Sequence, residues 1–231
     1  MPSHIARHSG RIIAEPMRQH GIVRGEAAIR RRVGELLEDV EGALWKLETI
    51  EASRVQQAPK DLSRVLIGVD PSVAGRDKDD AGKQRDECGI IALGRAPGGR
   101  RFVMKDYSLS ASPDGWARVV CKAYWEQKAD VVVAEANNGG EMVRMVIQDI
   151  DPRVNVVLVH ASRGKYTRAE PCAADYERGD VSHIGVLRQL EDEMTSWVPD
   201  GKHPSPNRVD AMVWAWTYDA EGTAAPSVFF M

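Results

Sequence analysis

Short apolar runs bounded by charged residues, Gly, Pro or Asn recur along the chain from residue 62 onward. Runs of strand length cover residues 65–69, 89–93, 101–103 continuing to 107, 131–134 and 154–159. Apolar residues at helical spacing predict one helix that begins after Ser112. They predict further helices over residues 139–151, 166–178, 183–197 and about 206–219. The chain is therefore expected to begin its ordered part with three strands and to alternate strands and helices afterwards.

This order of elements predicts a mixed α/β sheet. The first three strands follow one another closely, and GRAPGG between the second and third is typical of a hairpin, so these strands are expected to be antiparallel. The fourth and fifth strands are each reached through a helix, which predicts that both are parallel to the first and that helices flank the sheet. The same order occurs in the RNase H-like fold, where the first and fourth strands are parallel neighbours.

Charge and composition divide the chain further. Residues 1–34 contain seven Arg and two Glu and are interpreted as a basic, poorly ordered arm, although the whole chain has a net charge of only −3. This arm is either a nucleic-acid contact or a solvated tail. Residues 35–61 are interpreted as a linker, 62–222 as the α/β domain and 223–231 as a tail.

Several protein classes are disfavoured by the sequence. The three cysteines are far apart and form no CxxC pair, so neither a disulfide framework nor a zinc knuckle is expected. The first residues lack the apolar segment of a signal peptide, and no apolar run reaches the roughly 18 residues that a membrane span needs. A cytoplasmic protein without membrane contacts is expected.

Two strands end in an acid, Asp70 in LIGVDP and Glu135 in VVVAEANN. If these strands are parallel neighbours, both carboxylates lie at the same edge of the sheet, where α/β proteins collect their functional groups. Two ionised carboxylates about 5 Å apart repel by roughly 3 kcal/mol at an effective dielectric of 20. A Mg²⁺ or Mn²⁺ ion would relieve that repulsion, since both ions prefer oxygen ligands.

A third acid, Asp210, is predicted in the first turn of the last helix, at the border of its apolar stripe. The positive end of the helix dipole favours an ionised carboxylate there. Structural alternatives exist for each acid taken singly: Asp70 before Pro71 suits a turn, and an Asp in a first helical turn often serves the dipole alone. The three together, in this order of elements, predict a metal site.

Basic and amide side chains near these acids are candidates for contacts with an anionic substrate group such as a phosphate. The segment SRGKYTR supplies Arg163, Lys165 and Arg168 just after the fifth strand, for phosphate contact or for charge stabilisation of a transition state. Asn138 precedes a helix beside Glu135, where backbone N–H groups could hold a phosphate. Alternatively, the first segment is a solvated loop and Asn138 a helix cap. The charged segment 74–87 is expected to be a loop, with Asp86 its one acid near the site.

Six ordered segments give the chain a family resemblance from about residue 34 to residue 219: GELLEDVEGALW, VLIGVDPS, DECGIIALGR, VVVAEANNGGEMV, ASRGKYTRAEP and NRVDAMVWAW. Together they resemble the nuclease domain of the large terminase subunit of tailed bacteriophages. The resemblance implies an RNase H-like, metal-dependent endonuclease that cuts double-stranded viral DNA during genome packaging. The phosphate contacts expected of Arg163, Lys165, Arg168 and Asn138 would then be DNA contacts. It also implies that Asp70, Glu135 and Asp210 are the catalytic acids and hold two Mg²⁺ or Mn²⁺ ions, with Asp70 as the bridging ligand.

The resemblance further implies partners and a setting. A large terminase also contains an ATPase motor, but no Walker A motif occurs in this chain, so no nucleotide cofactor is expected and a separate motor chain is implied. The small terminase subunit and the portal protein are the other implied partners. The expected location is the cytoplasm of a bacterial host, for a phage or prophage gene product.

Three other functions fit parts of the pattern. A catalytically silent DNA-binding or assembly remnant of a prophage terminase would retain the acids without activity. A junction resolvase shares the fold and would prefer branched DNA. An actin-like ATPase also has an acid after its first strand, but residues 71–75 supply no convincing Gly-rich phosphate hairpin.

Overall fold

The structure is a computed structural model that describes residues 40–71, 87–136, 140–161, 164–199 and 206–222. The predicted basic arm, the predicted tail and all of the charged segment 74–87 except Glu87 lie outside these ranges. None of the helices in the described ranges is long and apolar enough to cross a membrane.

Six strands form one mixed sheet in the order β5-β4-β1-β2-β3-β6. Their bounds are β1 Arg64–Asp70, β2 Gly89–Arg95, β3 Arg101–Asp106, β4 Val131–Glu135, β5 Val156–Val159 and β6 Val181–His183. β2 pairs antiparallel with both β1 and β3, whereas β4 pairs parallel with both β1 and β5. This arrangement confirms the predicted RNase H-like mixed sheet.

Helices cover both faces of this sheet. They are α1 Leu47–Ser53, α2 Pro113–Glu126, α3 Gly140–Ile150, α4 Lys165–Glu177, α5 Arg188–Ser196 and α6 Asn207–Glu221. α2 and α3 pack on one face, and α1, α4, α5 and α6 contribute to the core on the other. As predicted, Ser112 caps α2 by accepting a hydrogen bond from the Gly115 backbone N–H at 3.3 Å, and Pro113 takes the first helical position.

The two-residue period of the strands decides which face each acid shares. In β1, Ile67 and Val69 belong to the core under α2 and α3, whereas Leu66 belongs to the core under α6. Asp70 lies four residues after Leu66 in the strand, and side chains an even number of residues apart lie on the same face. Asp70 therefore shares the α6 face with Leu66. Val133 is in the same core, which places Glu135 on that face as well.

Two expectations about the helices and strands need correction. The apolar pattern predicts a helix from residue 183, but β6 occupies Val181–His183 and α5 begins only at Arg188. β6 pairs in parallel with β3 at the edge of the sheet, and the three residues alone are too short for a strand pattern to stand out. The predicted linker contains α1, and Trp45 and Ile50 are buried in the core because Trp45 packs against Tyr176 and Trp197.

Candidate active site

Parallel pairing of β1 with β4 brings Asp70 and Glu135 together. Val69 is the register partner of Ala134, so the next residues along the two strands, Asp70 and Glu135, are neighbours at their carboxyl ends. The two carboxyl groups are close enough for a hydrogen bond with Glu135 to contribute to a raised pKa of Asp70. The sequence prediction that these two acids meet at one edge of the sheet agrees with this geometry.

Close packing of α6 on the sheet brings in Asp210. A Cβ atom added at Gly68 would lie 2.0 Å from the Ala211 carbonyl oxygen, and one added at Gly89 would lie 2.0 Å from the Asn207 carbonyl oxygen. Only glycine lets the helix backbone come this close to β1 and β2. Because Asp210 lies between Asn207 and Ala211, this contact carries its carboxylate to the end of β1.

The charge on Asp70 is unfavourable in this setting. Burial raises its pKa to about 8 from an ordinary value of 3.8, and the carboxylates of Asp210 and Glu135 contribute to this rise. Lys165 acts in the opposite direction. Asp70 is therefore protonated at neutral pH unless a cation enters the cluster, since only added positive charge would favour its ionised form.

Lys165 provides one positive charge in the cluster. It is the first residue of α4, and its ammonium donates a hydrogen bond to Asp210 Oδ2. The Asp210 side chain is 6% exposed, whereas that of Lys165 is 43% exposed. The lysine therefore extends from solvent onto a buried carboxylate, which makes it the predicted DNA-contact residue that the structure places at the acids.

The donor set fits a divalent cation in its chemistry. Asp70, Glu135 and Asp210 supply hard carboxylate oxygens from three different elements, which is the donor set that Mg²⁺ and Mn²⁺ prefer. Across the part of the chain that the structure describes, no three His, Cys, Asp or Glu side chains are spaced to hold one ion as they stand. An ion would have to displace the Asp70 proton and the Lys165 ammonium.

Arg208 is a residue at this site that the sequence analysis missed. It is 4% exposed as a residue, and its guanidinium forms ion pairs with Glu87, with Asp106 at 2.9 Å and with Glu193 at 2.8 Å. These contacts fix the first turn of α6 against β3 and α5, two residues before Asp210. Local sequence patterns carry no signal for it, since its three partners are distant along the chain.

The remaining predicted DNA contacts fall in different places. Arg163, Asn138 and Asp86 lie outside the described residues. Arg168 is 9% exposed on α4, where its guanidinium stacks on Trp214, so it is neither a loop residue nor an exposed one. The position of Arg168 in a basic segment gives no sign that its side chain is buried against the Trp214 ring.

A mixed sheet of this order, with helices on both faces, defines the RNase H-like class. Residues 67–218 match the family described as the terminase RNase H-like domain. This match spans more than half of the chain, and the chain therefore belongs to that family, as the motifs predicted. Among curated proteins, no similar sequence was found.

Solved structures agree with this assignment at the level of the fold. The P22 large terminase nuclease domain has a TM-score of 0.59 at 14% identity, covering 78% of this chain and 93% of that domain. The nuclease domain of the large terminase subunit of bacterial virus Sf6 has a TM-score of 0.54 at 16% identity, covering 74% and 96%. A large terminase from a thermophilic bacteriophage has a TM-score of 0.51 at 11% identity; 84% of this chain is covered, but only 45% of that protein.

Proposed function

We propose that the chain is a metal-dependent endonuclease that hydrolyses phosphodiester bonds of double-stranded viral DNA during genome packaging. The observation that carries this proposal is the convergence of three carboxylates: Asp70 and Glu135 at strand ends and Asp210 on α6. Burial and the charges of Asp210 and Glu135 raise the pKa of Asp70 to about 8. Such a cluster is unfavourable in the absence of cations and favours divalent metal binding.

In this proposal, Asp70, Glu135 and Asp210 would hold two Mg²⁺ or Mn²⁺ ions. When bound, such ions would supply Lewis-acid chemistry for phosphodiester hydrolysis. The chain itself keeps the acids in place through the tight contact of α6 with β1 and through the Arg208 ion pairs. Lys165 exchanges its contact with Asp210 for one with a DNA phosphate, where its charge stabilises the transition state.

Named relatives support the metal part of this proposal. Structures of a lysine-to-alanine variant of the Sf6 nuclease domain contain calcium or manganese. By analogy with large terminases, the partners of this chain are double-stranded DNA, a separate ATPase motor chain, the small terminase subunit and the portal protein. The proposed setting is the cytoplasm of the bacterial host.

Cleavage of supercoiled plasmid by the purified chain tests the proposal. Wild-type protein is expected to nick or cut the plasmid with Mg²⁺ or Mn²⁺ and to be inactive in EDTA, and Asp70→Asn is expected to lose at least about 100-fold of that activity. Asp149→Asn, which changes an exposed acid on α3, is the matched control and should retain full activity. Robust cutting in EDTA, or by Asp70→Asn, would refute the metal-dependent mechanism.

A DNA-binding measurement and a comparison of DNA substrates separate the alternatives. DNA binding without cleavage across several divalent metals would identify a catalytically silent remnant. Preference for a four-way junction over linear duplex would identify a junction resolvase. Both comparisons use the wild-type chain and need no further variant.

A further inference from the structure

A cavity of about 450 Å³ lies between α4, α6 and the end of β5. Its lining includes His160, Thr167, Arg168, Trp214 and Thr217. Arg168 follows Lys165 by three residues on α4, and Trp214 follows Asp210 by four on α6, so each lies about one helical turn from the acidic cluster on the same side of its helix. The cavity is therefore a neighbour of the proposed cutting site.

Arg168 carries a buried positive charge in the wall of this cavity. The residue is 9% exposed, and its Cζ lies 3.8 Å from the centroid of the Trp214 ring. Within the described ranges, its Nε and Nη1 have no hydrogen-bond acceptor and no carboxylate pairs with it. Stacking on an indole stabilises a guanidinium only in part, because it leaves the N–H groups in the guanidinium plane without acceptors.

Two other arginines of the protein show what is missing. Arg208 meets three carboxylates, and Arg101 meets Asp175 at 3.1 Å and Asp219 at 2.8 Å. The fold thus supplies carboxylate partners to both of these arginines. Arg168 has no such carboxylate partner among the described residues, which indicates that an anionic ligand supplies its counter-charge.

Two further donors in the cavity wall lack acceptors among the described residues. The indole Nε1 of Trp214 and the hydroxyl Oγ1 of Thr217 are buried without a hydrogen-bond partner. One carboxylate, that of Glu221, is in the lining, but this residue is exposed and its charge is screened by solvent. A guanidinium without a carboxylate partner suits a ligand with anionic oxygens, as in a phosphate group.

The size of the cavity exceeds that of a phosphate alone. Its volume lies within the usual range for small-molecule sites, and Val159, Pro171 and Trp216 add apolar walls. A ligand that combines a phosphate with an apolar or aromatic part therefore fits better than an inorganic ion. A nucleotide has both parts.

We propose that this cavity binds the phosphate of a nucleotide unit, with Arg168 as its main anionic contact, one helical turn from the acidic cluster. The choice of a nucleotide rests in part on the proposed nuclease function. The nucleotide is either part of a DNA strand that passes the cutting site or a free mononucleotide, and both present the same phosphate chemistry to Arg168.

Binding of thymidine monophosphate (dTMP) to the ¹⁵N-labelled full chain in EDTA tests the proposal. The Trp214→Phe variant identifies the indole N–H resonance of Trp214, because that resonance is missing from its spectrum. In the wild-type chain this resonance is expected to shift saturably with dTMP and not with thymidine. Arg168→Gln is expected to weaken dTMP binding at least about tenfold, since it removes a charge-assisted contact. Arg153→Gln is the matched control, because Arg153 also lies over a tryptophan, Trp125, but is already paired with Asp151.

Competition then identifies the source of the phosphate. Displacement of dTMP by a short duplex supports a strand of DNA as the ligand, and undisturbed dTMP binding supports a free nucleotide. Equal binding of thymidine and dTMP, or equal weakening by Arg168→Gln and Arg153→Gln, would overturn the proposal. If Arg168→Gln does not fold, Arg168→Lys supplies the comparison: it keeps the charge but loses the planar guanidinium and should weaken dTMP binding by a smaller factor.

Metal-free conditions keep this test independent of the nuclease proposal. A chain that cuts DNA but does not bind dTMP refutes the cavity alone. A chain that binds dTMP but does not cut refutes the nuclease alone.

Discussion

Replacement of Asp70 by asparagine tests the electrostatics of the acidic cluster directly. In the folded chain the pKa of Asp70 is raised to about 8, whereas in the unfolded chain it is near 3.8. Between these values the folded state holds a proton that the unfolded state has released. The stability of the cation-free protein therefore decreases as the pH rises through this window, and the loss levels off above about pH 8.

The size of this change in the free energy of unfolding follows from the titration of one proton. Linkage gives about 1.36 kcal/mol per pH unit, so a rise from about pH 5 to about pH 7.5 lowers the wild-type free energy of unfolding by about 3 kcal/mol. This is an upper value, because Asp70 is only partly buried. Asparagine resembles the protonated acid and cannot ionise. Asp70→Asn should consequently gain up to about 3 kcal/mol over wild type across the same interval.

Urea unfolding in EDTA at the two pH values measures this difference. The difference between variant and wild type cancels the titration of groups that do not interact with Asp70. Asp149→Asn on the surface of α3 provides the control. Added Mn²⁺ should stabilise wild type more than Asp70→Asn at about pH 7.5, because it binds the ionised cluster. Equal pH dependence in wild type and Asp70→Asn would refute the proposed protonation of Asp70.

Three other predictions follow from the contacts around the cluster. Gly68→Ala should destabilise the fold by about 3 kcal/mol in urea unfolding, because its Cβ would lie 2.0 Å from a carbonyl oxygen of α6. Arg208→Gln should cost about 3 kcal/mol in the same assay, since it leaves three carboxylates facing one another without their shared cation. Lys165→Met should tighten Mn²⁺ binding several-fold in calorimetry by removing the ammonium that competes for Asp210, and should lower DNA cleavage about tenfold or more.

Matched variants distinguish these effects from general damage. Gly98→Ala adds a Cβ with no atom within 4 Å and should be close to neutral. Arg118→Gln removes an exposed partner of Asp114 and should change stability little. If each test variant behaves like its control, the corresponding contact does not hold the site together. Unchanged Mn²⁺ affinity in Lys165→Met would mean that the lysine does not compete for Asp210.

Local patterns in the sequence determined most of the framework of the site. Apolar runs of strand length, with helices between the later ones, defined the mixed sheet and placed an acid at the ends of β1 and β4. The apolar stripe of α6 placed Asp210 in its first turn. These features depend on residues close together in the chain, so their period is visible without a structure.

Only the tertiary structure decided how these pieces meet. The approach of α6 to Gly68 and Gly89, the ion pairs of Arg208 and the stacking of Arg168 on Trp214 join segments far apart in sequence. None of them leaves a periodic signal, because burial and pairing of a side chain depend on which elements pack together. The sequence thus determined which acids stand at the sheet edge, and packing decided that Asp70 shares its surroundings with Asp210 and Lys165.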